Sequence, residues 1–283
     1  MNLKVSLLVA AIAVAVSGSA VPTSPPRPVA PAKLDNPNLF PVSVFYGKPE
    51  HAAQLKDIGV NVYQNAEHDG SSMASITDTG MLVIAGDEWT RAEVGNNAGV
   101  VGWSTYDECD MGLGCSGSTT QQNLAQMQQL AATLRSYKDG RPVMANYSKG
   151  ILGTWWASGT MNGFMSAVDF ASADNYAYTS PPVDDAVTAS PAWPAGASAA
   201  TSAAYGWQVD RMRSYQATPG VKPNWVFVES ARPYLTESNA KTITPADGGC
   251  HVVRHHPRGP GHQYLPAQQR PRVRELLAGG HPR

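Results

Sequence analysis

A chain of 283 residues is long enough for one large domain with a substantial core. Its charge is uneven: residues 1–249 hold 15 basic against 21 acidic side chains, a net of −6, while residues 250–283 hold six arginines and one glutamate, a net of +5. The mildly acidic body has no basic patch to track phosphates, which excludes nucleic acid as the partner of the folded domain.

In chain order, Lys4 precedes an apolar run from Leu7 to Val16 that is too short to span a bilayer, and small residues follow at Gly18, Ser19 and Ala20. Residues 1–20 therefore read as a secretion signal, with an uncleaved membrane anchor as the alternative. Removal of that signal leaves no stable membrane insertion and places the protein outside the cell or in the cell wall. Residues 21–38, which include VPTSPPRPVAPAK, read as a Pro-rich linker. A barrel domain is expected over residues 39–249.

Within it, short apolar, β-branched or aromatic runs recur at 41–47, 60–65, 81–86, 99–106, 141–147, 168–176 and 224–230, predicting seven strands. Helical patterns separate several of them. HAAQLKDIG follows the first run, QNLAQMQQLAATLRSYKDG precedes the fifth with Leu124, Met127, Leu130, Leu134 and Tyr137 at helical spacing, and YGWQVDRMRSYQATPG precedes the seventh. Continuous apolar strands alternating with helices indicate an α/β fold with a parallel sheet covered on both faces. Seven or more such units in about 200 residues favour a (β/α)8 TIM barrel over an open doubly wound sheet. No Gly-rich nucleotide loop follows the first strand, and no cofactor is expected.

A barrel's active site lies at the carboxyl ends of its strands, so polar residues that end apolar runs are the candidates for chemistry. The fourth run ends in Tyr106, Asp107 and Glu108, and the seventh in Glu229. These ends share one rim, so Glu108 and Glu229 can face each other across the opening. Two carboxyls flanking a gap are what glycosidic cleavage requires: one protonates the leaving oxygen, and the other attacks the anomeric carbon or activates water. Beside Asp107 and near Glu229, Glu108 would feel like charges that favour its protonated form. Arg232 or Tyr178 could keep Glu229 ionised.

Further strand ends supply a sugar site. Asn146 and Tyr147 end the fifth run, Asn175, Tyr176 and Tyr178 end or follow the sixth, and Trp155 and Trp156 lie in the loop after the fifth, where one of the pair is expected to stack on a pyranose. Glu67, His68 and Asp69, with Asp87 and Glu88, read as rim residues rather than metal ligands, because the lone His lacks a partner at ligand spacing. Cys109 and Cys115 are the expected disulfide in an exported chain, with free thiols as the alternative.

The phrases GWSTYDE and VFVES resemble the barrel glycoside hydrolases with catalytic glutamates at the ends of strands four and seven, including bacterial secreted members, over roughly residues 40–247. The resemblance implies Glu108 as general acid/base, Glu229 as nucleophile and retention of configuration. Asp107 departs from it, standing where that group usually has Asn; an ionised Asp accepts a hydrogen bond from a sugar hydroxyl and donates none. A secreted glycoside hydrolase acting on an oligo- or polysaccharide is the function expected. A secreted, non-catalytic carbohydrate-binding or cell-surface barrel is the alternative.

From Cys250 onward the composition changes: residues 250–283 hold five of the seven histidines, six arginines and five prolines. A basic tail for an acidic polymer is one account. The account favoured here is a frame-shifted reading of the barrel's own C-terminus, because His262 to Leu277 back-translated and moved one base forward can give a strand-like, apolar-to-polar profile. On that account strand eight is missing or altered, the barrel is incomplete, and any activity is impaired.

Overall fold

The computed structural model describes Leu34, Asn36, residues 38–151, 157–174, Tyr176, 202–220 and 222–228. Seven strands run β1 (Ser43–Phe45), β2 (Val62–Gln64), β3 (Leu82–Ala85), β4 (Val100–Ser104), β5 (Val143–Tyr147), β6 (Phe170–Ala173) and β7 (Asn224–Val226). All neighbours pair in parallel, and their order in the sheet is their order in the chain. The helices between them are α1 (Ala52–Asp57), α2 (Ala74–Thr77), α3 (Arg91–Val94), α4 (Thr120–Ser136), α5 (Thr160–Ala167) and α6 (Ser202–Ser214). Each strand is shorter than its sequence run, since the apolar run continues into the turns that flank the ladder.

Sequential parallel order alone would suit an open sheet; side chains that meet across it show that it is curled. Gln64 on β2 donates to the Ser172 hydroxyl on β6 at 2.9 Å. Phe45 on β1 meets Phe227, just past β7, edge to face at 5.2 Å between ring centroids. The described residues thus form a seven-stranded parallel sheet curled into an incomplete barrel. Among the described residues no strand pairs β7 to β1, and the residues from 229 onward lie outside them.

Strand period two sorts the side chains into two cores. The inner one holds Val62, Ile84, Val101, Met144 and Phe170, with Leu82 and Trp225 against it. Leu34 and Leu39 close its lower end, so Leu34, which composition places in the linker, is buried core. The outer core, between sheet and helices, takes the alternate residues Tyr63, Val83, Trp103, Ala145, Tyr147 and Ala171. α4 faces it with Met127, Ala131 and Leu134, three of them one helical turn apart. Its first turn is closed by a reciprocal cap between Thr119 and Gln122, which satisfies amides that the helix itself leaves open.

β4 departs from regular pairing. Val83 and Ile84 on β3 oppose Val100 and Gly102, so Val101 is an extra residue. Farther on, the amides of Thr105 and Glu108 bond the carbonyls of Met144 and Asn146, three steps against two. Such bulges bend a strand and re-aim its side chains. The second one turns the end of β4 over the mouth of the barrel.

Candidate functional site

Glu108 sits at that turn with φ +46°, a left-handed backbone that a non-glycine residue adopts at a cost. The chain after it holds it there. Its carbonyl accepts from the amides of Met111 and Leu113, and the amide of Gly112 returns to Cys109. Cys109 and Cys115 are joined in a disulfide across this loop, with their Cα atoms 5.1 Å apart. Gly114 passes so close to the backbone of Asp107 that a Cβ there would lie 2.3 Å from its carbonyl oxygen. Only glycine fits that crossing. The same left-handed conformation occurs at Tyr46 after β1, Asn65 after β2 and Tyr176 after β6, so four strand ends turn sharply around one opening.

Acids dominate what these turns present. Glu108 is buried and hydrogen-bonded to the carboxyl of Asp174, which follows β6 and is 3 % exposed. Burial pushes the Asp174 carboxyl well above the ordinary range, and the charge of Glu108, the bond between the two and Asp107 push the same way; the Tyr176 hydroxyl, bonded to Asp174, opposes them. Burial also raises Asp107 to about 6, against the hydrogen bond from Asn146. Asp110, fully buried, is raised to about 7 by burial and secondarily by Glu108, although it accepts the amide of Ser148 at 3.0 Å.

Beneath the acids runs a polar chain with one direction. Gln64 donates to Ser172, the Ser172 hydroxyl to Asn146 Oδ1 at 2.8 Å, and Asn146 Nδ2 to Asp107 Oδ1 at 2.9 Å. Every donor points toward Asp107. A chain of aligned hydrogen bonds polarises each successive member and favours negative charge at its end.

Several residues picked from sequence therefore stand elsewhere than expected. Asn146 is fully buried, with its amide engaged at both ends. Tyr147 points to the opposite face, as its neighbour on a strand must, and its hydroxyl donates to the Phe164 carbonyl at 2.7 Å in the outer core. Tyr106 is half-buried against that outer core. Asp107 and Glu108 remain at the mouth, and Tyr176 is beside Asp174. Trp155, Trp156, Asn175, Tyr178 and Glu229 lie outside the described residues. His68 bonds Glu93 through Nε2 at 2.7 Å, and among the described residues no three His, Cys, Asp or Glu side chains converge as a metal site requires.

Asp174, Asp110, Ser172 and Gln64 were absent from the sequence candidates. Asp174 carried a signal: Phe170, Ser172 and Asp174 follow at strand spacing on one face, turning from apolar to acidic.

No protein-family model matches the chain, and no curated protein matches it. Among solved structures it is similar to a β-galactosidase from the psychrophilic Marinomonas ef1, with 11% identity and a TM-score of 0.46, over 72% of this chain and 50% of that one. It is also similar to a β-glucuronidase from Parabacteroides merdae (16% identity, TM-score 0.33, 48% of this chain and 20% of that one). An FMN-binding β-glucuronidase from Faecalibacterium prausnitzii L2-6 matches at 16% identity and a TM-score of 0.32, over 50% of this chain and 26% of that one. The chain thus spans half the length of the first and less of the others. All three are glycosidases, and likenesses of this extent leave the chemistry to be argued from the chain's own residues.

Proposed function

We propose that the protein is a secreted glycoside hydrolase in which Glu108 protonates the glycosidic oxygen and Glu229 attacks the anomeric carbon. The observation that carries this reading is the hydrogen-bonded Glu108–Asp174 carboxyl pair at the barrel mouth. Two carboxyls in contact cannot both ionise side by side, so at least one of them keeps its proton. A buried pair therefore keeps an acid available where solitary surface carboxyls have lost theirs. The proton that passes to the leaving oxygen is Glu108's own; Asp174, whose carboxyl burial keeps protonated, donates its hydrogen bond to the new Glu108 carboxylate, which makes Asp174 a positioning residue. Asp107 stays in reach of a sugar hydroxyl as an acceptor.

Glu229 follows Val228 directly in sequence, after β7, whose Trp225 packs on the inner core, and after Phe227, which lies just past β7 and meets Phe45 across the sheet. In an eight-stranded closure strands four and seven reach one rim, with carboxyls roughly 5–5.5 Å apart in retaining enzymes. Export fits a disulfide at the site, which persists in oxidising surroundings. No described helix is long and apolar enough to cross a membrane.

The test is a screen of the full chain against nitrophenyl glycosides and plant, fungal and bacterial polysaccharides, repeated with Glu108→Gln and Glu229→Gln. Loss of a general acid costs roughly 100- to 10,000-fold in rate, so each variant should fall at least that far while still binding the glycan. The first-formed anomer, read by NMR, should retain configuration. A folded protein with no activity across the panel, or variants as active as the parent, would overturn the reading.

A further inference from the structure

The mouth holds more acid than one general acid and one nucleophile need. Between the ends of β1, β2 and β3 and the disulfide loop lies a cavity of about 160 Å³. Phe45, Tyr46, Asn65, Asp87, Glu88 and Asp107 line it, beside Ala66 and the glycines Gly86 and Gly114. It is smaller than the roughly 300–1,000 Å³ of sites that enclose a drug-sized ligand, so it suits one substituent or ring of a longer substrate.

Its lining is built from acceptors. Three carboxylates face it, and neither a lysine nor an arginine belongs to its wall. Lys48, on the same side of the barrel, lies 4.0 Å from Glu50, and Lys149 belongs to the turn after β5. A second observation is independent of the acids. Asn65 is 5% exposed, is held in a left-handed turn, and its buried Oδ1 has no hydrogen-bond partner. A buried amide oxygen without a donor costs free energy that an incoming donor recovers. Third, the wall includes two aromatic side chains, Phe45 and Tyr46, and Tyr46 is fixed by donating its hydroxyl to Glu88 at 2.9 Å. An aromatic face attracts an alkylammonium within about 6 Å of its centre.

We infer that this cavity receives a primary ammonium group, so that the substrate class is a glycan of free amino sugars rather than neutral or N-acetylated ones. An ammonium offers three donors and no acceptor, the complement of Asp87, Glu88, Asp107 and Asn65 Oδ1. Acetylation removes the charge and two of the donors and adds bulk. Burial holds the Asp87 carboxyl above its ordinary range, with the charge of Glu88 a smaller contribution, so a cation seated beside it offsets the cost of its charged form. A bound metal ion fits less well, since among the described residues no three His, Cys, Asp or Glu side chains come close enough to share one ion, and the three acids here are spread along the wall.

The inference rests on the glycan-binding reading of the mouth, and its test separates the two. Calorimetric titration of the full chain with a glucosamine oligomer, its N-acetylated form and a glucose oligomer should show the first binding at least about tenfold more tightly, the scale of a hydrogen bond to a charged group. The preference should shrink with added salt and fall several-fold in Asp87→Asn and in Glu88→Gln. Equal affinities for the three oligomers, a preference unchanged in both variants, or displacement of the amino sugar by sub-millimolar calcium would overturn it. Reducing ends released from the same oligomers separate the readings. Cleavage of neutral glycans with no preference for the amino sugar sinks this inference and keeps the hydrolase; selective binding of the amino sugar without cleavage of any glycan keeps this inference and sinks the hydrolase.

Discussion

The lower and upper halves of the barrel interior are built from the same strands and have opposite chemistry. Met144 and Asn146 are two residues apart on β5, Val62 and Gln64 on β2, and Phe170, Ser172 and Asp174 at the same spacing on and after β6. All point inward. In each case the lower residue is apolar and the upper one polar. The lower layer excludes water and fixes the strands; the upper layer places groups that would be costly to bury unpaired. A chain of hydrogen bonds directed at Asp107 is tolerable only on a floor that does not move. Stability and chemistry are separated here by a single strand period.

The floor can be broken directly. Phe170 is 3% exposed, packs on Trp225 with ring centroids 5.6 Å apart, and belongs to the inner core. Phe170→Ala should cost about 3–5 kcal/mol, the transfer of the ring plus the cavity left behind. Urea denaturation measures it. A loss under about 1 kcal/mol would mean that the inner layer collapses around the gap and is not a packed plug.

The seven strands were legible because parallel strands buried on both faces are continuous apolar runs, and nothing in their composition competes with that reading. The acids at the end of β4 were legible for the same reason, as an abrupt stop. Facing was less so. Asn146 and Tyr147 are neighbours on one strand and cannot both look into the mouth, and the sequence contains that contradiction; which of them looks outward is set by the register of β5 against β6, where Asn146 stands opposite Ser172 and Tyr147 opposite Ala173. The left-handed turn at Glu108 depends on Gly114 crossing Asp107 and on the disulfide that closes the loop, contacts between residues whose spacing alone does not specify a turn. Asp174 pairs with Glu108 across 66 positions of chain. The strands reveal themselves locally, and the pairings of the mouth arise only once the sheet has curled.

The upper layer should be sharpened by pH. Asp110 is held at about 7 in the folded chain against 3.8 for an ordinary Asp. Its folded value is raised, so the stability it contributes is fully present below pH 3.8 and is lost as pH rises through 7. Between pH 5 and 8 that loss amounts to about 2–3 kcal/mol. Asp110→Asn retains an acceptor for the Ser148 amide and has no charge to bury. Its thermal stability should fall below that of the parent at pH 5 and approach or exceed it at pH 8. Parallel stability curves for the two proteins across that range would show that Asp110 is not the titrating group.

The smallest expected effect tests whether the two halves are joined by the polar chain or only adjacent. Ser172 is its middle link, accepting from Gln64 and donating to Asn146. Ser172→Ala leaves Gln64 Nε2 without its acceptor and Asn146 Oδ1 without its donor, a cost of about 1–2 kcal/mol. The more telling consequence lies at Asp107, which does not touch Ser172. Asn146 lowers the Asp107 carboxyl by donating to it, against the burial that lifts it to about 6. With Oδ1 no longer fixed, the Asn146 amide is free to turn, its bond to Asp107 weakens, and the carboxyl should rise further, by less than about one unit. A carboxyl NMR titration of Asp107 reads that shift without any need for substrate. The same Ser172→Ala protein measured by urea denaturation supplies the stability cost. If stability drops and Asp107 titrates where it did before, Asn146 is held by its strand alone and the directed chain has no electrostatic reach. If both move, the side chain of β6 that bonds Gln64 also helps set the proton affinity of the acid at the end of β4.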